Sequence, residues 1–384
     1  MNFKNVHIYV ADSLRWDYLP DTISELGVTF KTVAQSNFSA PSFATLGTGL
    51  YPVQHQVHNW GDVLAPDTPT IFELDGLHTG YRDHAEGTEA TVFRILKQDE
   101  AVDLSDLKPP FLHVERNSYP HVPFGKNAPD TVQEYYNDRG NDWQQMRRDY
   151  KCGIKQSVNR FQKRLDYLED SGLLEDTLIV FTSDHGELFG EYGTKGHGSP
   201  TCPELVYVPT VFINPQLQEE DFQINPQSEI IEHVDLVQTM LSSIGYGNAL
   251  TTSGVDLFSR DRMRDWGYNH INIVRKGRKF YTAESAWDYN GGHVFAQNKT
   301  FYRFIYAISQ FRDAPARENL VANPTKLIRY YIKNTELFGS PTHSESKSKE
   351  NIDTFTDQLS REEGYAHGLS ENEKERLKNL GYLT

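Results

Sequence analysis

The segment Thr182-Ser183-Asp184-His185-Gly186-Glu187 decides how this sequence folds and where its chemistry lies. It follows four apolar residues, Leu178-Ile179-Val180-Phe181, and such a run is typical of a buried strand in a parallel sheet. A carboxylate and an imidazole therefore lie side by side at the end of a strand, where ligands bind in open α/β sheets. Asp184 and His185 together suit a divalent cation, although an ordinary polar strand end has the same pattern.

A second apolar run has the same arrangement. Val6-His7-Ile8-Tyr9-Val10 predicts a buried strand near the start of the chain, and Asp12 follows it. A carboxylate at this position is more commonly the N-cap of a helix than a metal ligand. The metal-ligand interpretation of Asp12 therefore holds only if Asp184 is a ligand too.

The segment around Ser39 predicts a short helix with a hydroxyl at its positive end. Pro41 is suited to the first turn of a helix, and Thr48-Gly49 is suited to its end. The helix dipole and the free N–H groups favour negative charge there, so Ser39 is well placed to attack an anionic ester. On these residues alone, a helix-capping role for Ser39 is the better supported alternative.

Length and composition limit the class of protein. The 384 residues suffice for a large and a smaller domain, and a hydrophobic content of 38% allows a sizeable core. The net charge of −15 argues against nucleic acid or an anionic membrane as a partner. Two cysteines, Cys152 and Cys202, exclude a disulfide-rich scaffold and a four-cysteine zinc site. No run approaches the roughly 18 apolar residues of a membrane span, and no signal-peptide pattern is present, so we expect a cytoplasmic protein.

Three motifs in order resemble those of the sulfatase family in the alkaline-phosphatase superfamily. The family's opening Asp-Asp/Ser-x-Arg-x-Asp corresponds to Asp12 to Asp17. Its Cys/Ser-x-Pro-Ser-Arg signature, followed by Thr-Gly and Pro, corresponds to Ser39 to Phe43, Thr48-Gly49 and Pro52. Its Thr-Ser-Asp-His-Gly-Glu segment is unchanged at 182–187.

This resemblance implies an α/β fold with a large, mostly parallel sheet flanked by helices on both faces, and a small C-terminal α+β domain. We place the catalytic domain at residues 1–262 and the small domain at 263–384. The pattern from Val132 to Gly172 predicts a helix. In the small domain, Phe301 to Ile308 predicts an antiparallel strand, and Glu371 to Tyr382 predicts a terminal helix.

The resemblance also implies one divalent ion, held by Asp12, Asp184, His185 and the oxygen of Ser39. Such an ion would neutralise the ester oxygens and lower the pKa of the attacking hydroxyl. Because Ser13 stands where many members have a second aspartate, magnesium and manganese are alternatives to calcium.

Two loop histidines match residues that contact the substrate in the family. His121 lies in a Pro-His-x-Pro loop, and His197 lies in the segment Lys195-Gly196-His197-Gly198. The resemblance implies that they act as charge stabiliser and general acid. Lys195 and His84 are weaker candidates for contact with the substrate.

Phe43 stands where the family signature has an arginine. In sulfatases that arginine helps to place the residue at position 39 and to mark it for oxidation to formylglycine. Phe43 therefore argues against formylglycine at Ser39, which stays an alternative. The sequence also leaves open an arginine supplied by another part of the chain.

Three functions are consistent with these residues. The first is a metal-dependent sulfuric ester hydrolase with Ser39 at the nucleophile position. The second is a phosphomonoester, phosphodiester or phosphonate-ester hydrolase, or a phospho-alcohol transferase, that uses unmodified Ser39. The third is a catalytically silent binding protein of the same fold. In the first two, the expected substrate is a small-molecule or saccharide sulfate or phosphate ester.

Overall fold

The computed structural model describes residues 2–84, 91–125, 129–259, 264–275, 278–312, 321–359, 365–366, 371, 374, 375 and 378. Their strands are β1 (Asn5–Ala11), β2 (Val28–Val33), β3 (Asp62–Val63), β4 (His78–Asp83), β5 (Phe111–Asn117), β6 (Thr177–Thr182), β7 (Leu188–Phe189), β8 (Lys195–Gly196), β9 (Tyr207–Ile213), β10 (Ile230–Glu232), β11 (Gly267–Arg275), β12 (Arg278–Trp287), β13 (Gly291–Ala296), β14 (Thr335–Gly339) and β15 (Tyr365–Ala366).

The helices of the same residues lie mostly between these strands. They are α1 (Asp21–Ser24), α2 (Ser39–Thr48), α3 (Pro52–His55), α4 (Thr91–Ile95), α5 (Val132–Arg139), α6 (Trp143–Asp170), α7 (Pro203–Val206), α8 (His233–Ser243), α9 (Thr300–Arg312), α10 (Pro324–Ile332) and α11 (Glu345–Gln358). Within the described residues, no helix has the length and apolar character needed to cross a membrane.

Seven strands form a large sheet in the order β10-β2-β9-β6-β1-β5-β4. Strand β1 is central and pairs in parallel with both β5 and β6. Strand β9 runs antiparallel to its two neighbours, and the other pairs are parallel. The predicted mostly parallel sheet is therefore confirmed.

Helices cover both faces of this sheet because the buried strands are apolar on both sides. On one face, Val6, Ile8 and Val10 of β1 pack in a cluster that includes residues of α2 and α8. On the opposite face, Tyr9 belongs to a second cluster that includes Phe161 and other residues of α6. The side chains of β1 thus alternate between two helix layers, as the two-residue period of a strand requires.

The predicted helix from Val132 to Gly172 is interrupted. It forms α5 and α6, separated at Gly140, whose φ of 54° ends the first helix. The prediction was therefore right about the type of structure and wrong about its continuity.

The predicted strand from Phe301 to Ile308 is wrong, because this segment lies in α9. Its aromatic residues favour a strand by propensity, but burial follows a helical period. Arg303 and Ala307 are buried, whereas Phe301 is 67% exposed. Tertiary packing therefore overrides local preference here.

Beyond the large sheet, β11, β12, β13 and β14 form an antiparallel sheet in sequential order. Helices α9, α10 and α11 belong to the same part of the chain, so a C-terminal α+β unit is present as predicted. The predicted boundary near residue 262 lies outside the described residues, and so does most of the predicted terminal helix over 371–382. The exact domain division stays a prediction.

Gly153 allows α6 to touch the loop that carries His121. A Cβ atom at residue 153 would lie 2.2 Å from the carbonyl oxygen of Tyr119 and 3.3 Å from the amide nitrogen of Gly125. We expect Gly153→Ala to lower the free energy of unfolding by about 1–3 kcal/mol, a typical cost of overpacking, although alanine favours helices. Thermal unfolding monitored by fluorescence would measure this.

Cys152→Ala is the matched control, since Cys152 is the preceding helical residue and is exposed. Cys152→Ala should change the free energy of unfolding by no more than about 0.5 kcal/mol. A Gly153→Ala variant as stable as the control would show that the close approach of helix and loop is not a constraint.

Candidate active site

Four neighbouring strands of the large sheet end at one edge and bring charged residues together. Asp12 follows β1, Asp83 ends β4, Arg116 lies near the end of β5 and Asp184 follows β6. Parallel pairing places these strand ends side by side, with Val10 opposite both Arg116 and Thr182. All four charged side chains are buried.

Ser39 is the first residue of α2 and points its hydroxyl at this edge. The preceding Phe38 is extended, with φ −163° and ψ 165°, so the helix begins abruptly. The Ser39 Oγ atom lies 3.2 Å from His185 Nε2 and 3.3 Å from Arg116 Nη2. The structure therefore joins the helix N-terminus to the strand ends, and Ser39 is completely buried.

Asp12, Asp184 and His185 form a buried group that could hold a divalent cation. The Nδ1–H of His185 donates to the Gly186 carbonyl at 2.9 Å, so its Nε2 carries a lone pair. That lone pair lies 3.4 Å from Asp184 Oδ2 and 3.6 Å from Asp12 Oδ1. The buried Asp184 Oδ2 has no hydrogen-bond partner in the described part of the chain. The three ligand atoms therefore converge and fit a candidate cation site.

Ser13 donates hydrogen bonds to both Asp12 and Asp184. Its backbone N–H donates to Asp184 Oδ1 at 3.2 Å, and its hydroxyl donates to Asp12 Oδ1 at 3.1 Å. Ser13 has a φ of 65°, which is uncommon for a residue with a side chain. Such backbone strain persists where surrounding contacts enforce it, often at functional sites.

A second group of potential ligands, His7, His113 and Glu115, fits a metal less well. Glu115 already accepts hydrogen bonds from Arg164 at 2.6 Å and Arg160 at 3.0 Å. Burial disfavours its charged form, but its hydrogen bond to His84 and the charge of Arg164 lower the pKa of Glu115 well below its ordinary value. The two guanidinium groups would oppose a cation at this position.

His121 and His197 lie beside the Ser39 site, as the resemblance implied. The ring centroids of His197 and His185 are 4.5 Å apart, and those of His121 and His197 are 4.8 Å apart. Burial lowers the pKa of each of these two loop histidines to about 4. Their roles stay proposals, but the structure places them within one cluster.

Glu187 is a member of this cluster that the sequence analysis did not single out. Its Oε1 atom lies 3.3 Å from His197 Nδ1, and its side chain is fully buried. Burial raises the pKa of Glu187 to about 7. Its position in the segment 182–187 was the only available signal, and nothing in the sequence paired it with His197.

Arg116 is the second member that sequence reasoning missed. Its Nε donates to Asp12 Oδ2 at 2.9 Å, and its Nη1 donates to Asp83 Oδ2 at 3.2 Å. Its guanidinium carbon lies 5.5 Å from the ring centroid of Phe43. Thus Phe43 fills the position of the family arginine, while strand β5 supplies an arginine to the same site.

Two weaker candidates are directed elsewhere. The Lys195 ammonium donates to the Gly140 carbonyl at 2.6 Å, and the rings of Tyr136 and Trp143 flank it. His84 Nε2 lies 2.7 Å from Glu115 Oε1. Neither contact leads to Ser39, so the arrangement does not support a substrate role for these residues.

A family model described as Sulfatase matches residues 97–246. Nearly the whole chain is similar to a Haloferax volcanii protein named "Low-salt glycan biosynthesis sulfotransferase Agl7". The identity is 32%, over 99% of this chain and 96% of that protein. The chain belongs to the sulfatase family. The resemblance stated from the three motifs is therefore confirmed.

Solved structures show that this sulfatase-family chain has the expected fold. The structure of BT1596, a 2-O GAG sulfatase, matches with a TM-score of 0.60 at 12% identity, over 93% of this chain and 91% of that one. The phosphonate monoester hydrolase of Agrobacterium radiobacter matches with a TM-score of 0.55 at 15% identity, over 76% and 87% of the two chains. Identities this low show a shared fold and not a shared activity.

Asp184→Asn tests the candidate metal site. The amide removes a negative charge and an oxygen ligand, so we expect Mn²⁺ affinity to fall by more than about 100-fold, the upper range for loss of an outer-shell partner. Isothermal titration calorimetry on metal-depleted protein would measure it.

Asp176→Asn is the control, because Asp176 is an exposed carboxylate paired with Lys4. It should bind Mn²⁺ like the wild type. Unchanged affinity in Asp184→Asn, together with loss of binding in His7→Ala, would place the ion at the second group instead.

Proposed function

We propose that this chain is a metal-dependent enzyme that transfers the sulfuryl group of a sulfate ester, with Ser39 as nucleophile and a saccharide hydroxyl as acceptor. The observation that carries the proposal is the placement of Ser39. Its hydroxyl lies at a helix N-terminus, within hydrogen-bond distance of His185 and Arg116 and beside the two carboxylates. The helix dipole and the Arg116 guanidinium favour negative charge on an attacking oxygen there, and a divalent ion held by the two carboxylates would do the same.

The reaction would proceed by two displacements at sulfur. In the first, Ser39 Oγ gives up its proton and bonds to sulfur, the bond from sulfur to the leaving oxygen breaks, and the leaving oxygen takes up one proton. In the second, an acceptor hydroxyl gives up its proton and bonds to sulfur, the bond from sulfur to Ser39 Oγ breaks, and Oγ takes up one proton. The products are the leaving alcohol, a sulfated acceptor and the regenerated serine.

The chain's own residues would divide the remaining work. Asp12, Asp184 and His185, with the Ser39 oxygen, would hold the divalent ion, which supplies neutralisation of ester oxygens and a lowered hydroxyl pKa. His197 would donate the proton from Nε2 to the leaving oxygen, while Glu187, whose pKa burial raises to about 7, would supply a proton to Nδ1. His121 would stabilise charge on the ester.

A saccharide acceptor is favoured over water because the relative with 32% identity is named as a glycan biosynthesis sulfotransferase. Unmodified serine sulfate lacks the internal exit of a hydrated formylglycine, so either acceptor must attack sulfur directly. With water as acceptor, the same site would act as a sulfuric ester hydrolase.

Ser39→Ala tests the nucleophile. Wild-type protein with Mg²⁺ or Mn²⁺, 4-nitrophenyl sulfate and a disaccharide should release nitrophenol and form a sulfated disaccharide, detected by mass spectrometry. The Ser39 peptide should gain the mass of one sulfuryl group. Ser39→Ala should lose both signals, by about 10³-fold or more in turnover, as expected when a nucleophile acting with its partners is removed.

Ser42→Ala is the matched control, because the Ser42 hydroxyl is buried one turn later and has no hydrogen-bond partner among the described residues. It should keep wild-type turnover. Full activity in Ser39→Ala would sink the assignment. Incorporation of labelled oxygen from water into free sulfate, without a sulfated disaccharide, would identify a hydrolase.

A phosphoryl-transfer function is the second candidate. It is favoured by the plain serine with Phe43 nearby and by the fold shared with a phosphonate monoester hydrolase. Faster turnover of 4-nitrophenyl phosphate or a phosphonate monoester than of 4-nitrophenyl sulfate would support it. A Ser39 peptide lighter by two hydrogens would instead reveal formylglycine and sulfatase chemistry.

A further inference from the structure

We propose that Arg116 is a catalytic residue that stabilises the negative charge on the Ser39 oxygen during attack. This inference rests on the proposed role of Ser39 as nucleophile. It assigns to strand β5 a residue that none of the three sequence motifs contains.

The guanidinium of Arg116 makes contacts in three directions. Nε and Nη2 both donate to Asp12 Oδ2, Nη1 donates to Asp83 Oδ2, and Nη2 also lies 3.3 Å from Ser39 Oγ. Arg116 and both of its carboxylate partners are buried. A planar group held at three corners cannot rotate away, so the N–H directed at Ser39 is fixed before reaction.

Aromatic packing fixes the same group from helix α2. Phe43 lies four residues after Ser39, on the same side of that helix, and its ring centroid is 5.5 Å from the guanidinium carbon. The Phe43 ring also contacts Tyr81, whose hydroxyl donates to Asp83 Oδ2 at 3.1 Å. The helix that carries the nucleophile therefore also carries a cation–π contact to the arginine.

The charges around Ser39 show why such a donor is needed. Asp12, Asp83 and Asp184 are three buried carboxylates, and each would repel an oxygen that becomes negative. Arg116 offsets part of this charge, because its Nε and Nη2 both donate to Asp12 Oδ2. The same cation can act on the attacking oxygen, because one of its nitrogens reaches Ser39.

A purely structural arginine would not need the Ser39 contact. Bridging Asp12 and Asp83 requires only the contacts that Arg116 makes with those two carboxylates. The additional N–H to Ser39 Oγ is the feature that points to catalysis. The two roles differ in a measurable way, since loss of catalysis should lower turnover more than metal affinity, whereas loss of Asp12 placement should lower both alike.

The test compares Arg116→Met with Arg160→Met, the same substitution at an arginine that contacts Glu115 and is partly exposed. Turnover of 4-nitrophenyl sulfate should fall by about 10²–10³-fold in Arg116→Met, the usual loss for one preorganised donor, and stay unchanged in Arg160→Met. Mn²⁺ affinity, measured by calorimetry, should fall by about tenfold, the low end of the range for loss of an outer-shell partner, so turnover is compared at saturating Mn²⁺.

Three further measurements guard against misfolding of the single variant. Asp83→Asn combined with Arg116→Met removes one charge of each sign, and it should show the same loss of turnover relative to Asp83→Asn alone. Arg116→Ala should regain turnover when guanidinium ion is added at a concentration that does not unfold the protein. Arg116→Lys keeps the positive charge but not the planar guanidinium. Its turnover should lie between those of the wild type and Arg116→Met.

Each outcome bears on the proposal. Wild-type turnover in Arg116→Met overturns it, as does a loss of Mn²⁺ affinity that parallels the loss of turnover without rescue by guanidinium. A wild type that turns over neither sulfate nor phosphate esters overturns the proposed function as well. An active wild type with an equally active Arg116→Met overturns only the role of Arg116.

Discussion

The parallel pairing of β1 with β5 and β6 is the constraint on which the site depends. It places Val10 opposite Arg116 on one side and Thr182 on the other, so the residues after these positions emerge at one edge. Asp12 and Asp184 come from different parts of the chain and meet only because their strands run in the same direction. A register shift by one residue would turn these side chains to other faces of the sheet.

Charge balance is the second level of organisation. Three buried carboxylates around one guanidinium leave an excess of negative charge, which a divalent cation between Asp12, Asp184 and His185 would offset. The hydrogen bond from His185 Nδ1 to the Gly186 carbonyl keeps Nε2 free of a proton, so the imidazole is prepared as a ligand. Because these charges are buried, every group that contacts them affects the electrostatic energy of the site.

Membership of the sulfatase family does not by itself give the reaction. Phe43 stands in place of the arginine of the family signature, yet Arg116 brings a guanidinium to Ser39 from strand β5. The site thus contains a guanidinium group, which comes from Arg116 and not from the signature position. Asp12 and Asp83 hold this guanidinium through hydrogen bonds, and Phe43 of the helix that begins at Ser39 packs against it.

The sequence by itself determined the α/β class and the helix that begins near Ser39, and its resemblance to the sulfatase family predicted Asp12, Asp184 and His185 as candidate metal ligands. It could do so because apolar runs, helix punctuation and adjacent polar residues are local signals. Only the tertiary structure decided that Arg116 and Glu187 join the site, that Lys195 turns to Gly140, and that Phe301 to Ile308 is helical. These features depend on contacts between residues far apart in the chain, and no local pattern records which distant side chain a buried charge will meet.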